Sequence, residues 1–213
     1  MTLAEIVDRR LSGTYSVDPW GADTDWVDAL SFVSRWMVRT DVVGVEHLPV
    51  TGPALLVVNR RIGVGEVTAL VVGIRRATGR LVRPLGVPDI TPAPLLRRFG
   101  AVQSHPAEIA SLLRAGELVA APLAREWRTH RCGTIASEVL APALRLGVSV
   151  IPVGVAGGEL TGQWRVAVGP AIAPPTTVRG RMSPLAVAEA ADRARAGVQA
   201  LFDEAFPPRW FGR

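Results

Sequence analysis

The sequence contains no lysine, so all 24 of its basic side chains are arginines. The formal net charge is +5 over 213 residues. Arginine presents a planar fork of donors that matches phosphate and carboxylate oxygens, so this composition favours recognition of phosphate or anionic lipid. Biased codon usage explains the same composition equally well.

Cysteine occurs once, at Cys132, which excludes an internal disulfide and gives no cysteine cluster for a metal. No apolar run approaches the roughly 18 residues that a membrane-spanning helix needs. Glu5 and Asp8 interrupt the N-terminus, and no long apolar run follows, so no cleavable signal is predicted. These absences predict a cytoplasmic protein without a metal cofactor. Peripheral attachment to the inner face of the plasma membrane stays open.

Short apolar runs alternate with helical patterns along the chain, and its length fits one domain with a full core. This alternation predicts an α/β fold, a single layered domain over 41–213 with a mixed, largely parallel central sheet flanked by helices. A helical segment over 1–40 is expected to precede it, packed on the domain or on a membrane surface. Asp25 is the predicted cap of a helix over 26–39.

Predicted strands cover 41–47, 54–58, 81–85, 117–121, 148–155 and 163–168, the last alternating like an outer strand. Predicted helices after the N-terminal segment cover 66–77, 106–115, 134–146 and 184–206, with Ser183 capping the last.

The stretch from Val45 to Glu66 organises the chain. Its apolar run 54–58 ends abruptly at Asn59-Arg60-Arg61, a Gly-Val-Gly turn follows, and a helical pattern begins near Glu66. A buried strand that delivers polar residues to a loop before a helix is a common way to build a site on an α/β sheet.

This stretch resembles the glycerolipid acyltransferase family, which includes the lysophosphatidic acid acyltransferases. Later segments resemble further blocks of the same family in the family's order, so the likeness spans roughly residues 42–170. The first block is carried by Gly44, Glu46, Leu48, Pro49, Gly52, Pro53, Leu55, Leu56, Val57 and Asn59, and the later blocks by 84–86, 96–102, 113–119 and 151–158. The resemblance implies transfer of an acyl group from acyl-CoA or acyl carrier protein to a lysophospholipid-type hydroxyl.

The chain departs from the family at the positions that carry the chemistry. The family's catalytic histidine falls on Arg60, its aspartate on Gly65, and a glutamate that helps bind the acceptor phosphate on Leu123. An arginine stays protonated in proteins and cannot act as the base. Gly65 has no side chain with which to orient one.

Glu66 and His130 are the candidate substitutes for the missing base. A glutamate in the first turn of a helix also has a structural explanation, because it stabilises the helix dipole. Cys132, two residues after His130, is a further candidate as a nucleophile paired with that histidine. The spacing of His130 and Cys132 does not by itself establish this pairing. The predicted substrate-binding residues are Asn59, Arg60, Arg61, Arg125 and Arg128.

Three functions remain open after these comparisons. The first is a catalytically degenerate acyltransferase fold that binds lipid or acyl-CoA, in which an active acyltransferase paralogue is a candidate partner. The second is an active acyltransferase with a relocated base. The third is a peripheral membrane scaffold. No nucleic-acid-binding motif is present, so nucleic acid is not expected as a partner.

Overall fold

A computed structural model of the protein describes residues 3–15, 17–29, 39–60, 65–86, 93–126, 131–158, 160–173 and 182–205. Within these ranges six strands form one sheet. They are β1 (Arg39–Val43), β2 (Ala54–Val58), β3 (Val82–Pro84), β4 (Leu118–Pro122), β5 (Val150–Gly157) and β6 (Gln163–Val168).

The sheet has the order β1-β6-β5-β2-β4-β3. The four neighbouring strands β5, β2, β4 and β3 run parallel to one another. β6 pairs with β5 in the antiparallel sense, and β1 runs parallel to β6. The register places Val58 opposite both Pro122 of β4 and Val153 of β5. The predicted mixed, largely parallel sheet in a single α/β domain is therefore confirmed. The prediction that 163–168 is an outer strand was wrong, because β6 has a partner on each side, and β1 and β3 are the edge strands of the described sheet.

Helices cover both faces of the sheet, which explains why the residues of β2 are buried throughout. One face holds α2 (Gly65–Thr78), whose Leu70 and Ile74 pack with Leu56 and Ile151. The other face holds α4 (Pro106–Arg114), α5 (Ser137–Arg145) and α6 (Pro184–Ala205). Two shorter helices are α1 (Leu3–Leu11) and α3 (Ala93–Arg98), and residues 24–29 are also helical.

α6 packs unusually close to β5 because glycine lies at the contact. A Cβ added to Gly154 would lie 2.9 Å from the Cβ of Leu201, and one added to Gly197 would lie 2.9 Å from the Cγ of Pro152. Any larger residue at either position would push the helix off the sheet. This contact brings α6 close to the carboxyl end of the parallel strands.

The chain leaves the adjacent strands β2 and β4 toward opposite faces of the sheet. α2 follows β2 and lies on one face, whereas Cys132 and Ile135, which follow β4, belong to the core on the other face. Open α/β sheets bind ligands in a crevice at the carboxyl ends of strands that diverge in this way, so this position is the candidate site. We call it the β2–β4 crevice.

The N-terminal segment contacts the α/β domain through aspartates. Asp18 pairs with Arg83 of β3, and Asp28 pairs with Arg75 of α2 at 3.2 Å. The ring of Trp26 meets that of Phe99 edge-on, with centroids 6.0 Å apart. The proposed division at residue 40 stays a prediction.

Two further local predictions were wrong. The predicted cap Asp25 lies inside a helical segment over 24–29, and Asp23 accepts the backbone N–H groups of Asp25 and Trp26 in its place. The predicted strand 41–47 ends at Val43, because Gly44 takes a positive φ of 75° and a 3-10 turn (Val45–His47) follows. Residues 30–38 of the predicted helix 26–39 lie outside the described residues, and Arg39, its predicted last residue, begins β1 instead.

No helix in the described ranges is both long and apolar enough to cross a bilayer.

Candidate functional site

Asn59 is the first residue beyond β2, and its buried side chain ties that strand to β5. The Val155 N–H donates to Oδ1 at 2.6 Å, and Nδ2 donates to the Val155 carbonyl at 2.8 Å. The amide therefore continues the pairing of β2 with β5 after the main chain of β2 has turned away. A side chain bonded on both edges in this way is held rigidly.

Glu66 completes this network from the first turn of α2. Asn59 Nδ2 also donates to Glu66 Oε1 at 3.0 Å, and the glutamate is only 6% exposed. A carboxylate in the first helical turn also favours the positive end of the helix dipole. The two buried polar residues at the mouth of the β2–β4 crevice are thus bonded to each other.

The three positions at which the family would carry its chemistry differ in exposure. Arg60 is exposed, Gly65 is buried, and the side chain of Leu123 is 1% exposed within the core. The Leu123 N–H donates to the Val58 carbonyl at 2.8 Å, which extends the pairing of β2 and β4 by one residue. Leu123 is therefore a core residue and offers no polar atom to a ligand.

Two residues that follow β4, Ala124 and Thr134, are joined by a main-chain hydrogen bond. The Ala124 N–H donates to the Thr134 carbonyl at 2.6 Å. Gly133 lies so close to the same strand extension that an added Cβ would be 2.1 Å from the Ala124 carbonyl oxygen. Arg125 and Arg131 lie on either side of residues 127–130, which are outside the described ranges, and both arginines are exposed.

Cys132 is buried and contacts α6. Its N–H donates to Gln199 Oε1 at 2.7 Å. Burial and the negative charge of Asp203 raise the pKa of the Cys132 thiol to about 11, Arg195 opposes this shift, and Glu66 adds to it. A thiol with so high a pKa is a poor nucleophile near neutral pH.

Three of the exposed arginines in the described part of the chain follow β2 or β4. Arg60, Arg125 and Arg131 are exposed and form no ion pair with the residues that the structure describes. Unpaired guanidinium groups beside the first turn of a helix form a favourable environment for a phosphate.

The remaining predicted site residues lie outside the described ranges, namely Arg61, Arg128 and His130. The amide of Asn59 is engaged by Val155 and Glu66. The predicted role of Asn59 in binding substrate stays a prediction. Within the described ranges no group of histidine, cysteine and carboxylate side chains is arranged to hold a metal ion.

Sequence reasoning missed the contribution of α6 to this region. Gln199 and Asp203 reach the loop after β4 from more than 65 residues away along the chain, and Gln199 Nε2 donates to Asp203 Oδ1 at 2.8 Å. No local pattern marks them, because they occupy one stripe of an ordinary amphipathic helix.

Known proteins resemble this chain mainly in fold. The crystal structure of the 1-acyl-sn-glycerophosphate (LPA) acyltransferase PlsC from Thermotoga maritima matches with a TM-score of 0.57, covering 84% of this chain and 80% of that one. The sequence identity is 16%, so the match establishes an acyltransferase-like fold. No protein-family model matches the sequence.

Two mycobacterial relatives are similar in sequence. An uncharacterized protein of Mycobacterium leprae is 32% identical over 131 residues, which cover 55% of this chain and 35% of that protein. An uncharacterized protein of Mycobacterium tuberculosis is 27% identical over 180 residues, which cover 74% of this chain and 49% of that protein. The chain therefore spans at most about half the length of these relatives.

Proposed function

We propose that the protein binds a phosphate-bearing acyl ligand, acyl-CoA or a lysophospholipid, in the β2–β4 crevice and does not transfer its acyl group. The fold match to an LPA acyltransferase supports the acyl part of this proposal. Arg60 and Arg125 are exposed and form no ion pair with any residue in the described ranges, which supports the phosphate part. Membrane association and an active paralogue as partner stay untested expectations.

The observation that carries the proposal is the bonding of Glu66. A general base must reach the hydroxyl that it deprotonates. Glu66 is 6% exposed, and its carboxylate accepts a hydrogen bond from Asn59, which is itself bonded to both main-chain groups of Val155. This carboxylate therefore forms part of the support that joins β2, β5 and α2.

The motif positions favour binding without turnover for a second reason. Arg60 cannot accept a proton, Gly65 cannot orient a base, and Leu123 is buried in the core. Replacement of one of these residues leaves room for compensation, whereas replacement of all three removes the mechanism that the resemblance implies.

An active acyltransferase with Glu66 as the base is the second candidate. One observation favours it, because Glu66 is close enough to Cys132 to raise the pKa of that thiol, so both groups face the same region. Glu66→Gln separates the two candidates. It keeps the volume of the side chain and an oxygen that can accept from Asn59, but it cannot act as a base.

The test is an acyl-transfer assay with purified protein, long-chain acyl-CoA and a panel of lysophospholipids, with retained lipid identified by mass spectrometry in the same preparation. We expect acyl ligand to bind with no transfer above background in either wild type or Glu66→Gln. Transfer by wild type that disappears in Glu66→Gln would establish the second candidate. Neither transfer nor bound ligand would refute both and leave the scaffold hypothesis.

A further inference from the structure

The two edges of the described sheet are closed differently. At β3 the sheet is continued by Val102, whose N–H donates to the Pro84 carbonyl and whose carbonyl accepts from the Gly86 N–H, at 3.0 Å in each case. Arg83 of the same strand also pairs with Asp18 of the N-terminal segment. At β1 the described part of the chain supplies no strand beyond the pairing with β6. β1 is therefore the edge at which pairing can continue.

Main-chain groups line this outer edge of β1. The Arg39 N–H donates to the Gly162 carbonyl at 2.8 Å, so the main chain of Arg39, and of every second residue after it, faces β6. The N–H and C=O groups of Thr40 and Val42 consequently face outward, and among the described residues they have no hydrogen-bond partner. Both residues are partly buried, and unpaired groups on such an edge are a template for another strand.

The side chains of β1 place opposite charges on one face of the strand. Arg39 and Asp41 are both exposed, whereas Thr40 packs against Gly73 of α2 on the other face. Asp41 has one ion-pair partner among the described residues, Arg165 of β6, at 4.0 Å and with both side chains exposed. An exposed pair of this kind contributes little, so Asp41 can meet a second cation without a large loss.

We propose that β1 pairs with β1 of a second copy of this chain across a twofold axis, antiparallel and centred on Thr40. In this register Thr40 of each copy donates to and accepts from Thr40 of the other, and Arg39 of each copy lies opposite Asp41 of the other. The pairs of Arg39 with Asp41 occupy non-hydrogen-bonded positions, where facing side chains are closest. The contact thus combines main-chain hydrogen bonds with an ion pair on each side of the axis.

The charges select this register over its neighbours. A twofold axis centred on Asp41 would place the two copies of that carboxylate opposite each other, and like charges in facing positions destabilise a sheet. An axis centred on Val42 would pair Thr40 with Gly44, whose positive φ of 75° lies just beyond the end of the strand. Because β6 and β5 separate β1 from β2, the contact does not involve the β2–β4 crevice and does not depend on the proposed function.

Charge reversal on β1 tests the register. Asp41→Arg leaves Arg39 of each copy opposite a like charge, and Arg39→Asp does the same to Asp41. Each single variant should therefore dimerise at least about tenfold more weakly than wild type. A mixture of the two single variants restores an opposite-charge pair on each side of the axis and should form a heterodimer. The double variant Arg39→Asp, Asp41→Arg should dimerise as wild type does.

Matched controls make the same charge changes elsewhere. Asp192→Arg and Arg193→Asp alter exposed positions of α6. Thermal unfolding first establishes that every variant is folded. Sedimentation velocity over a series of protein concentrations then gives the mass and the dissociation constant of the dimer for each protein and for the mixture.

We expect wild type and both controls to dimerise with the same dissociation constant, each single β1 variant to stay monomeric where wild type is dimeric, and the mixture to dimerise. A wild type that is monomeric at every concentration would overturn the proposal. Self-association of either single variant as strong as that of wild type would overturn it too. So would a mixture that fails to associate, because the copies would then meet through another surface.

Discussion

In the described part of the chain, two arginines at the amino-terminal edge of the parallel strands make contacts that three arginines at the carboxyl edge lack. At the amino-terminal edge, Arg80 donates to the carbonyls of Pro49, Gly52 and Gly116 at 2.8, 2.6 and 2.7 Å. Next to it, the buried Arg83 pairs with Asp18 and Glu117. At the carboxyl edge, Arg60, Arg125 and Arg131 are exposed and unpaired among the described residues.

This difference separates structural arginines from arginines that are available to a ligand. An arginine that satisfies main-chain carbonyls cannot be removed without leaving acceptors unpaired. An exposed arginine without an ion pair contributes little to stability, so stability alone gives no reason for its presence. Of the four predictions below, ordered from the largest effect to the smallest, the first and the last test this contrast, whereas the other two test the residues that support the carboxyl edge.

Arg80→Met should give the largest loss of stability, about 3 kcal/mol, because three carbonyls at the start of β2 and β4 lose their charged donor. Urea unfolding measures it. Arg114→Met provides the control, an exposed arginine at the same edge that should change the free energy of unfolding by less than about 0.5 kcal/mol. Equal losses in the two variants would remove the distinction at this edge.

Cys132 should react with iodoacetamide roughly a hundredfold more slowly near neutral pH than an unperturbed cysteine, because its pKa is raised from 9.0 to about 11. A raised pKa keeps the thiol protonated, so the rate should continue to climb with pH up to about 11. The rate is followed by mass spectrometry between pH 7 and the onset of unfolding. A plateau near pH 9 would show that the thiol is not shielded.

Asn59→Ala should cost about 2 kcal/mol, because it breaks the link to Val155 and leaves Glu66 without that donor. Chemical unfolding gives the value, with Glu66→Gln as the control that keeps the acceptor. A loss below about 0.5 kcal/mol would show that Asn59 is not part of the support for the crevice.

The double variant Arg60→Met, Arg125→Met should have the smallest effect, a change in unfolding free energy of less than about 0.5 kcal/mol. The reason is that neither side chain forms an ion pair among the described residues. Thermal and urea unfolding both test this. A loss comparable to that of Arg80→Met would mean that these arginines also stabilise the fold.

Much of the fold followed from local pattern. The predicted strands 54–58 and 163–168 have the observed bounds, and Ser183 accepts from the Ala186 N–H as the predicted cap of α6. Apolar runs and caps are set by neighbouring residues, so the sequence displays them. The strand predicted over 41–47 failed at Gly44 for a non-local reason, because that glycine packs against the Val168 carbonyl of β6.

The site was less accessible to prediction. The stretch ending at Asn59 and the loop after β4 were identified from sequence, and parallel strands bring their ends to one edge. The bond between Asn59 and Val155 spans 96 residues, and that between Cys132 and Gln199 spans 67. Such pairs depend on the order of strands and on the closeness of α6 to β5, which no local pattern encodes.

The most direct test of the central claim is calorimetric titration of palmitoyl-CoA into wild type, the Arg60→Met, Arg125→Met variant, and an Arg114→Met, Arg145→Met variant. The last pair removes the same charge from exposed positions at the ends of α4 and α5. We predict that the crevice variant binds at least about tenfold more weakly, a loss of about 1.4 kcal/mol, and that the control binds as wild type does. Equal affinities in all three proteins would contradict binding at the β2–β4 crevice.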